Sequence, residues 1–408
     1  MRAGFARRDI TPAYSTQMAG FDRRILPSAG TRDPLYVSVL AVEDEKGVFL
    51  LSSFDLLGVD NALCARVREE AEKRFGIAKD RVISSATHTH SAPGVHFAGR
   101  SQYDEAYAGL LVEETMSAAD EAIRTMEESV LSVTETTVTG VASRRNKGRE
   151  GAQFPMPLLV FRFRRPEDTL TMCRFACHST VFDERNLLFS ADLPGAAREL
   201  TGEKSIFFNG ACADMSTRFT RTDSSPEELA RLGGLLAEGV LNAPEGKICE
   251  KLYIRTASET IFLSRPGGLE GEVKEKLLAA LREKAAACTD KQAWREYDSR
   301  IAVLERQNVQ PEPARPVYIA AADFGAFVLL TLPFETGSED CEDLETSLSA
   351  AAGKPVYLFC YTGGYDGYLP SGAPLTADSS YEDIASRYGE GTRQQVWECA
   401  KRCILGVR

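Results

Sequence analysis

Residues 82–96 have the sequence Val-Ile-Ser-Ser-Ala-Thr-His-Thr-His-Ser-Ala-Pro-Gly-Val-His, in which a strand-like run leads directly into histidines. The run before Thr87 is typical of a strand, and side chains two residues apart on an extended chain leave the same face. We therefore expect His88 and His90 to lie a few ångströms apart at the carboxyl end of a strand. The Ser-Ala-Pro-Gly sequence after them predicts a loop.

Clustering of histidine is the strongest functional signal in this chain. The chain has four histidines, and His88, His90 and His96 fall within one nine-residue window. Imidazole is a common metal ligand, so we expect a metal at this point, bound either by both His88 and His90 or by one of them while the other transfers protons. His96 lies in a Gly-rich loop without periodic support, and we do not expect it to bind metal.

The fourth histidine, His178, ends a second strand-like run that begins at Leu170. Alternation along this run places Cys173 and Cys177 on one face and His178 on the other, which argues against a Cys-Cys-His zinc site. The two cysteines are better explained as small buried apolar side chains.

Two familiar metal patterns do not match. The His-x-His of barrel amidohydrolases requires two further histidines and an aspartate on later strands, which this chain cannot supply. The metallo-β-lactamase pattern requires Asp-His after its His-x-His, whereas Ser91-Ala92-Pro93 stands here. Because a catalytic zinc typically has three protein ligands and one open position, the remaining ligands are expected to be oxygen donors.

Apolar patterning along the chain predicts a mixed α/β (α+β) fold, with mixed sheets flanked by helices. Helical periodicity without proline over 269–308 predicts a helical hairpin insertion. The segment from Thr362 to Gly391 is rich in Gly, Pro, Ser, Asp and Tyr, and we expect it to form a wall of the active site. Strands are predicted at Tyr36–Val42, Val48–Phe54, Arg81–Ala86, Leu158–Arg162, Leu170–Ala176, Ser205–Phe208, Val317–Ala321, Phe324–Leu332 and Val356–Tyr361, and helices near 61–75, 103–127, 226–241, 337–351 and 392–403.

Composition narrows the functional classes. A net charge of -11 and a pI near 5.2 provide no basic face for nucleic acid, so we expect no nucleic-acid partner. The first twenty residues contain no apolar core typical of a signal peptide, and no later run reaches the length of a membrane span, so no stable membrane anchor is expected. Ten scattered cysteines favour reduced thiols in a cytoplasmic protein.

Several further motifs, spread over the whole chain, accompany the histidines. They are Asp9-Ile-Thr-Pro12, Met18-Ala-Gly20, Ser84-Ser-Ala-Thr-His-Thr-His-Ser-Ala-Pro-Gly94, Ala176-Cys-His-Ser-Thr180, Phe207-Phe-Asn-Gly210, Ala213-Asp-Met-Ser216, Leu332-Pro-Phe-Glu335 and Tyr365-Asp-Gly-Tyr368. With these segments the chain resembles the neutral/alkaline non-lysosomal ceramidase family, zinc amidases that cleave the N-acyl bond of ceramide. Known ceramidases are longer and carry a C-terminal sandwich domain. We expect residues 1–408 to form a single zinc-hydrolase domain without it.

The resemblance implies a role for each matching residue of the metal site. His88 and His178 look like the two histidine ligands of a Zn²⁺ ion. Glu335 and Tyr368 look like the residues that complete its shell.

The resemblance also implies a set of catalytic residues. His90 resembles the family's second motif histidine, placed to orient or protonate reacting groups. Arg144 looks like the active-site arginine, although Arg145 is an equally placed alternative. Tyr381 resembles a tyrosine that stabilises the oxyanion, and Ser216 aligns with a serine described as catalytic.

Together these features predict a zinc-dependent amidohydrolase acting on linear amides. Its partner would be a small-molecule N-acyl substrate, amphiphilic or sugar-like, attacked by zinc-activated water. One alternative is an esterase or lactonase that uses the same site. Another is a non-catalytic, metal-stabilised binding protein, because the run Ala213–Arg218 lacks the Gly and the Pro-Asn that surround the serine in the family. The sequence does not specify the oligomeric state.

Overall fold

The computed structural model of the chain describes residues 1–95, 104–249 and 253–407. His96, which was not expected to bind metal, lies outside the described residues. The strands are β1 Arg2–Asp9, β2 Gly30–Thr31, β3 Tyr36–Asp44, β4 Gly47–Phe54, β5 Val82–Ala86, β6 Glu127–Glu128, β7 Val130–Val138, β8 Ser143–Arg144, β9 Met156–Arg164, β10 Thr169–Phe175, β11 Leu188–Phe189, β12 Ser205–Asn209, β13 Met215–Ser216, β14 Lys247–Ile248, β15 Arg255–Arg265, β16 Glu312–Asp323, β17 Val328–Leu332 and β18 Val356–Cys360.

Helices alternate with these strands. They are α1 Asn61–Phe75, α2 Glu105–Arg124, α3 Gly148–Gly151, α4 Asp192–Thr201, α5 Pro226–Leu241, α6 Gly271–Ala287, α7 Lys291–Arg306, α8 Ser338–Ala352, α9 Tyr381–Ala385 and α10 Thr392–Gly406. Among the described residues, none of these helices combines the length and the apolar character that crossing a bilayer requires.

Three mixed sheets form the centre of the molecule. The first has the strand order β5-β4-β3-β1-β6, the second β12-β10-β9-β7-β14 and the third β15-β16-β17-β18. Apolar side chains from all three sheets share one core, represented by Phe49, Phe161 and Phe359. The opposite faces of the sheets are covered by helices, with α1 and α2 on the first and α4, α5, α8 and α10 on the others.

Each large sheet contains one pair of parallel neighbouring strands joined by a helix. These three β-α-β units are β4-α1-β5, β10-α4-β12 and β17-α8-β18. Strands β5, β12, β17 and β18 are buried along their whole length, as parallel strands covered on both faces are. Ligand sites in such units form beyond the carboxyl ends of the strands. Short bridges link those ends across the sheets, Ser85 to Thr362 and Thr89 to Ser179.

The structure confirms the predicted mixed α/β class. The bounds of the predicted strands and helices lie within three residues of the observed ones, except that β16 begins five residues before the start predicted for it and β17 begins four residues after the start predicted for it. The hairpin predicted at 269–308 is the pair α6 and α7. The predicted wall segment contains one element that periodicity missed, the short helix α9. Strand β1 was also missed, because Arg2–Asp9 has no β-branched residue and becomes a strand through its pairing with β3. That residues 1–408 form one domain stays a prediction.

Candidate metal centre

Two histidines and one glutamate, each just beyond the end of a parallel strand, converge at the meeting point of the three units. His88 follows β5, His178 follows β10 and Glu335 follows β17. The Nε2 atom of His178 lies 3.1 Å from Oε2 of Glu335, and Nε2 of His88 lies 3.4 Å from the same oxygen. All three side chains are almost completely buried. The structure thus brings His88, His178 and Glu335 together, and their role as metal ligands stays a prediction.

Backbone strain marks this region. Among the described residues the non-glycine residues with positive φ are His88 at 64°, Asp192 at 51° and Tyr361 at 58°. Such conformations cost about 1 to 3 kcal/mol each, persist only where the surroundings enforce them, and cluster at functional sites. The turn at His88 begins where β5 ends, so the two motif histidines are not two positions of one continuous strand. Their ring centroids nevertheless lie 4.9 Å apart, as the spacing predicted.

Backbone carbonyls fix the orientation of both histidine ligands. Nδ1 of His88 is 2.7 Å from the Leu57 carbonyl, and Nδ1 of His178 is 2.5 Å from the Cys212 carbonyl. A carbonyl only accepts, so each Nδ1 carries the hydrogen and each Nε2 of the neutral ring carries a lone pair. Metal-binding histidines usually have such an acceptor behind them.

Two tyrosines to which the sequence analysis assigned no role bind the glutamate. The hydroxyl of Tyr365 donates to Oε1 of Glu335 at 2.5 Å, and that of Tyr361 lies 3.5 Å from Oε2. Burial alone would raise the pKa of Glu335, but the positive charge that His88 and His178 carry when protonated, and the hydrogen bonds that they then donate, hold it well below its ordinary value. Burial raises the pKa of both tyrosines well above 10, so their hydroxyls remain protonated donors to an ionised carboxylate.

The donor set fits a divalent cation. Burial lowers the pKa of His178, which keeps its ring neutral at pH 7, with the Nε2 lone pair directed at a carboxylate oxygen. Lone pairs on Nε2 and on Oε2 at 3.1 to 3.4 Å repel one another unless a cation is shared between them. Two neutral imidazoles with one carboxylate form a typical ligand set of catalytic zinc.

His90 completes the group without having a backbone acceptor. Its Nε2 lies 3.3 Å from Nε2 of His88, and ligand atoms of His88, His90 and His178 all lie within 4.8 Å of one another. The Nδ1 atom of His90 is buried and has no hydrogen-bond partner among the described residues. Burial, followed by the neighbouring histidines, lowers the pKa of His90 well below 6.5. The ring is therefore neutral and able both to accept and to donate a proton.

Tyr368, Tyr381 and Arg145 lie together on one side of this group. Tyr368 is bridged to Glu335 through the backbone, and its ring centroid is 5.7 Å from that of Tyr381. Arg145 donates to Glu382, which neighbours Tyr381 at the start of α9, and to the Ala213 carbonyl. Burial raises the pKa of both tyrosines, and the Arg145 charge acts against that rise. The structure gives no hydrogen bond between the Tyr368 hydroxyl and Glu335, so its role as a metal ligand stays a prediction.

The side chain of Arg144 points elsewhere. Its guanidinium pairs with Glu339 at 3.2 Å and with Glu342 at 2.5 Å, both on the exposed side of α8. Arg144 also lines a surface cavity of about 370 Å³ together with Phe154 and Pro155. Of the two arginines that the sequence left open, the geometry therefore brings Arg145, and not Arg144, to the histidine group.

Ser216 lies beside His178 through a backbone bridge. It belongs to β13, which pairs with β8 so that Ser216 is opposite Ser143. Its hydroxyl accepts from the Arg218 amide at 3.3 Å. This contact is one that a turn serine makes, and the catalytic role implied by the resemblance stays a prediction.

Sequence reasoning missed Tyr361 and Tyr365, and also the loop at Gly20–Arg24 that packs on His90. Phe21 lies 4.9 Å from the His90 ring between centroids, and a Cβ at Gly20 would lie 2.5 Å from its Cγ. One available signal was the position of Tyr361 directly after a fully apolar strand. The other was the Met18-Ala-Gly20 motif, which was noted but given no role.

The family model described as neutral/alkaline non-lysosomal ceramidase, N-terminal, matches residues 1–209. The fold is similar to a solved structure titled "Ceramidase complexed with C2", with a TM-score of 0.78 and 16% identity over 100% of this chain and 75% of that chain. It is also similar to neutral ceramidase from Pseudomonas aeruginosa, with a TM-score of 0.77 and 18% identity over 99% and 74%. No curated protein sequence matches. Identities this low establish likeness of fold alone.

Proposed function

The chain belongs to the neutral/alkaline non-lysosomal ceramidase family, and from that premise we propose that it is a zinc-dependent hydrolase that cleaves the amide bond of a small N-acyl substrate. The substrate class proposed is amphiphilic or sugar-like. One observation carries the proposal. Two imidazoles, each held by a backbone carbonyl, converge on one ionised carboxylate where three β-α-β units meet.

We propose that His88, His178 and Glu335 hold the zinc ion, with Tyr368 as a further ligand by resemblance. A zinc ion in such a site supplies Lewis acidity, which polarises an amide carbonyl and lowers the pKa of bound water towards about 7. Tyr361 and Tyr365 support Glu335 from behind, so their hydroxyls position this ligand and do not contact the substrate.

His90 is proposed as the proton-transfer group. Its ring is neutral, it touches the ligand histidines, and its Nδ1 is free of protein partners among the described residues. A neutral imidazole accepts a proton at one nitrogen and delivers it to the leaving amine. We propose that Arg145 and the Tyr381 hydroxyl stabilise the negative charge that develops on the carbonyl oxygen, which their position beside Tyr368 and Glu382 supports.

Metal content and turnover test this proposal together. Purified protein should contain about one zinc per chain by mass spectrometry, and His88→Ala, His178→Ala and Glu335→Gln should lose the metal. A panel of N-acyl and O-acyl compounds, assayed with and without added zinc, should show amide hydrolysis that a chelator abolishes.

Two variants serve as matched controls. His90→Asn should keep the metal and lose turnover, because it removes a proton-transfer group and no proposed ligand. Tyr365→Phe should keep all ligands but weaken metal affinity by about 10- to 100-fold, the usual effect of removing a support of a ligand. Protein that is free of metal and hydrolyses amides regardless of chelator would contradict the proposal.

A further inference from the structure

Arg24 lies beside the candidate metal centre with half of its guanidinium unused. The side chain is 3% exposed, and its Nη1 donates to the His90 carbonyl at 2.7 Å and to the Ala19 carbonyl at 3.4 Å. Its Nε and Nη2 atoms are buried and have no hydrogen-bond partner among the described residues. These two atoms form the side-on edge through which a guanidinium binds a carboxylate or phosphate with two parallel hydrogen bonds.

Within the described residues, Arg24 has no carboxylate partner. The acidic groups that act on it, Glu184 and Asp183, do so at longer range, and Asp183 is paired with Arg185. Residues 96–103, which the structure does not describe, contain no Asp or Glu. Burial therefore lowers the pKa of Arg24 to about 10, and the side chain is still a cation at pH 7. A buried cation without a neutralising partner is rare because its desolvation is costly, so the free edge points to an anionic ligand.

The position of Arg24 relative to His90 is fixed by packing. The Phe21 ring lies between them, 4.9 Å from the guanidinium carbon and 4.9 Å from the His90 ring centroid. The Ala19 amide donates to the Ala92 carbonyl at 2.9 Å, which joins this loop to the histidine motif. Gly20, with φ of 100°, allows the close approach, because any side chain there would overlap His90. A group bound at Arg24 is therefore held next to the proposed proton-transfer residue.

Further cations lie on the other side of the centre. Arg218 follows Ser216 by two residues, and burial, then the charges of Arg145 and Arg221, lower its pKa to about 9. Arg145 is balanced by Glu382, and Arg218 by Glu296 on α7. Unlike these two arginines, Arg24 has no carboxylate within ion-pair distance among the described residues, so it is the cation of this set whose charge is left for a ligand.

We propose that Arg24 binds an anionic group of the substrate, a carboxylate or a phosphate, through its free Nε and Nη2 edge. The substrate is then an N-acyl compound that carries this anion close to its amide bond. This inference rests on the proposed function, which it refines by substrate class, and it makes Arg24 a specificity-determining residue.

Three probes that share one acyl chain test the proposal: N-octanoylglycine, N-octanoylethanolamine phosphate and N-octanoylethanolamine. Wild-type kcat/KM should be at least about tenfold higher for an anionic probe than for the neutral one, and the better anion identifies carboxylate or phosphate recognition. Arg24→Gln should lower kcat/KM for the anionic probe at least about tenfold more than for the neutral probe, because the lost bond to the His90 carbonyl affects both probes and the lost anion contact affects only one. Arg24→Lys should give an intermediate loss, because lysine keeps the charge without the planar fork.

Arg23→Gln is the matched control. Arg23 is the adjacent arginine, exposed and paired with Asp298, and this variant should behave as wild type. If Arg24→Gln does not fold, as judged by circular dichroism, Arg24→Lys decides the outcome. Equal wild-type kcat/KM for the three probes, or equal losses for anionic and neutral probes in the Arg24 variants, would overturn the inference.

Calorimetric binding separates this inference from the proposed function. If none of the probes is cleaved, yet an anionic probe binds to wild type and not to Arg24→Gln, the anion site stands and the amidase proposal fails. Equal binding of anionic and neutral probes to the wild-type protein would overturn the anion site itself.

Discussion

At the scale of single residues, we expect substitutions of two adjacent arginines to have different effects on catalysis. Arg145 reaches the tyrosines beside the centre, whereas Arg144 pairs with exposed glutamates of α8. Arg145→Ala should therefore lower kcat/KM for an N-acyl substrate by about 100- to 1,000-fold, the typical effect of removing one donor to a developing oxyanion. Arg144→Ala should change it by less than about threefold. Steady-state kinetics of both variants checks this, and an equal loss in Arg144→Ala would restore the original assignment.

The choice between these arginines depends on the direction of their side chains, which a single sequence does not reveal. Arg144 is the last residue of β8 and Arg145 begins the turn after it, and their side chains leave on different faces, towards α8 and towards α9. The face is decided by the register of β8 with β13, where Met215 is opposite Arg144. Register between strands this short is set by the surrounding fold and not by any local pattern. The histidines were predictable because their clustering and strand-end positions are local features.

A second prediction at this scale concerns Asp192, whose carboxylate accepts from the amides of Val181, Phe182 and Leu193. Burial, only partly offset by these amides, raises its pKa from 3.8 to about 6. The folded protein thus holds this proton more tightly than the unfolded chain. The contribution to stability is complete below about pH 4 and is lost as the pH rises through about 6, a change on the order of 3 kcal/mol.

Urea unfolding of wild type and Asp192→Asn at pH 4 and pH 7 measures this effect. Residue 192 of the variant does not titrate. From pH 4 to pH 7, the free energy of unfolding of the wild type should therefore fall by on the order of 3 kcal/mol relative to that of the variant. Asp183→Asn is the contrasting control. Burial would raise the pKa of Asp183, but its bonds with Arg185 lower it, so this substitution should shift the difference in the opposite direction. A pH-independent difference for Asp192→Asn would contradict the prediction.

At the scale of elements, the hairpin of α6 and α7 supports the helix that carries Tyr381. Leu277, Leu281 and Leu304 of the hairpin form one apolar cluster with Ile384 of α9. Leu304→Ala should cost about 2 to 4 kcal/mol of local stability, because it leaves a cavity in this cluster. Hydrogen exchange should then accelerate in α6, α7 and α9, and kcat should fall as Tyr381 loses its fixed position.

Val273→Ala on α6 is the control for this prediction. Val273 is 61% exposed, so its truncation should leave both exchange and kcat near the wild-type values. Unchanged exchange in α9 of Leu304→Ala would show that the hairpin does not hold this helix.

The hairpin also shows which features of helices can be predicted from sequence and which cannot. Helical spacing over 269–308 was sufficient to predict two helices, because an amphipathic pattern is local. That pattern indicates that one face of each helix is buried, but it does not identify the element that packs against this face. The partner α9 has five residues within a non-periodic, Gly-rich and Pro-rich segment, too short to give a helical period. The lining of the site by this segment was predicted, and its helix was not.

At the scale of the molecule, one site joins three sheets. His88, His178 and Glu335 each follow the strand end of a different β-α-β unit, and the units are separated by long stretches of chain. Two of the units were visible in the sequence as apolar runs around a helix, whereas the third was visible only as its two strands, because α4 was not predicted. Their mutual arrangement depends on contacts between distant residues, which pattern analysis of one sequence does not contain. Full-length likeness to a family supplied that long-range information.

This arrangement predicts a global response to loss of the proposed metal. A ligand that binds only the folded state adds about 4 kcal/mol of stability when its concentration is 1,000 times its dissociation constant. Chelation should therefore lower the Tm by several degrees, and added zinc should restore it. His88→Ala, which lacks one proposed ligand, should have a lowered Tm that neither chelator nor zinc changes.

Hydrogen exchange measured after chelation distinguishes a metal that links the three sheets from a metal that stabilises only one segment. Chelation should accelerate exchange together in the segments that follow β5, β10 and β17, because each contributes one proposed ligand. The α6–α7 hairpin contributes none and should exchange at its original rate. If exchange rises after only one of these strands, the metal is held by one unit and does not join the three sheets. If Tm and exchange are both indifferent to chelator, the convergent donors do not bind a metal that stabilises the fold.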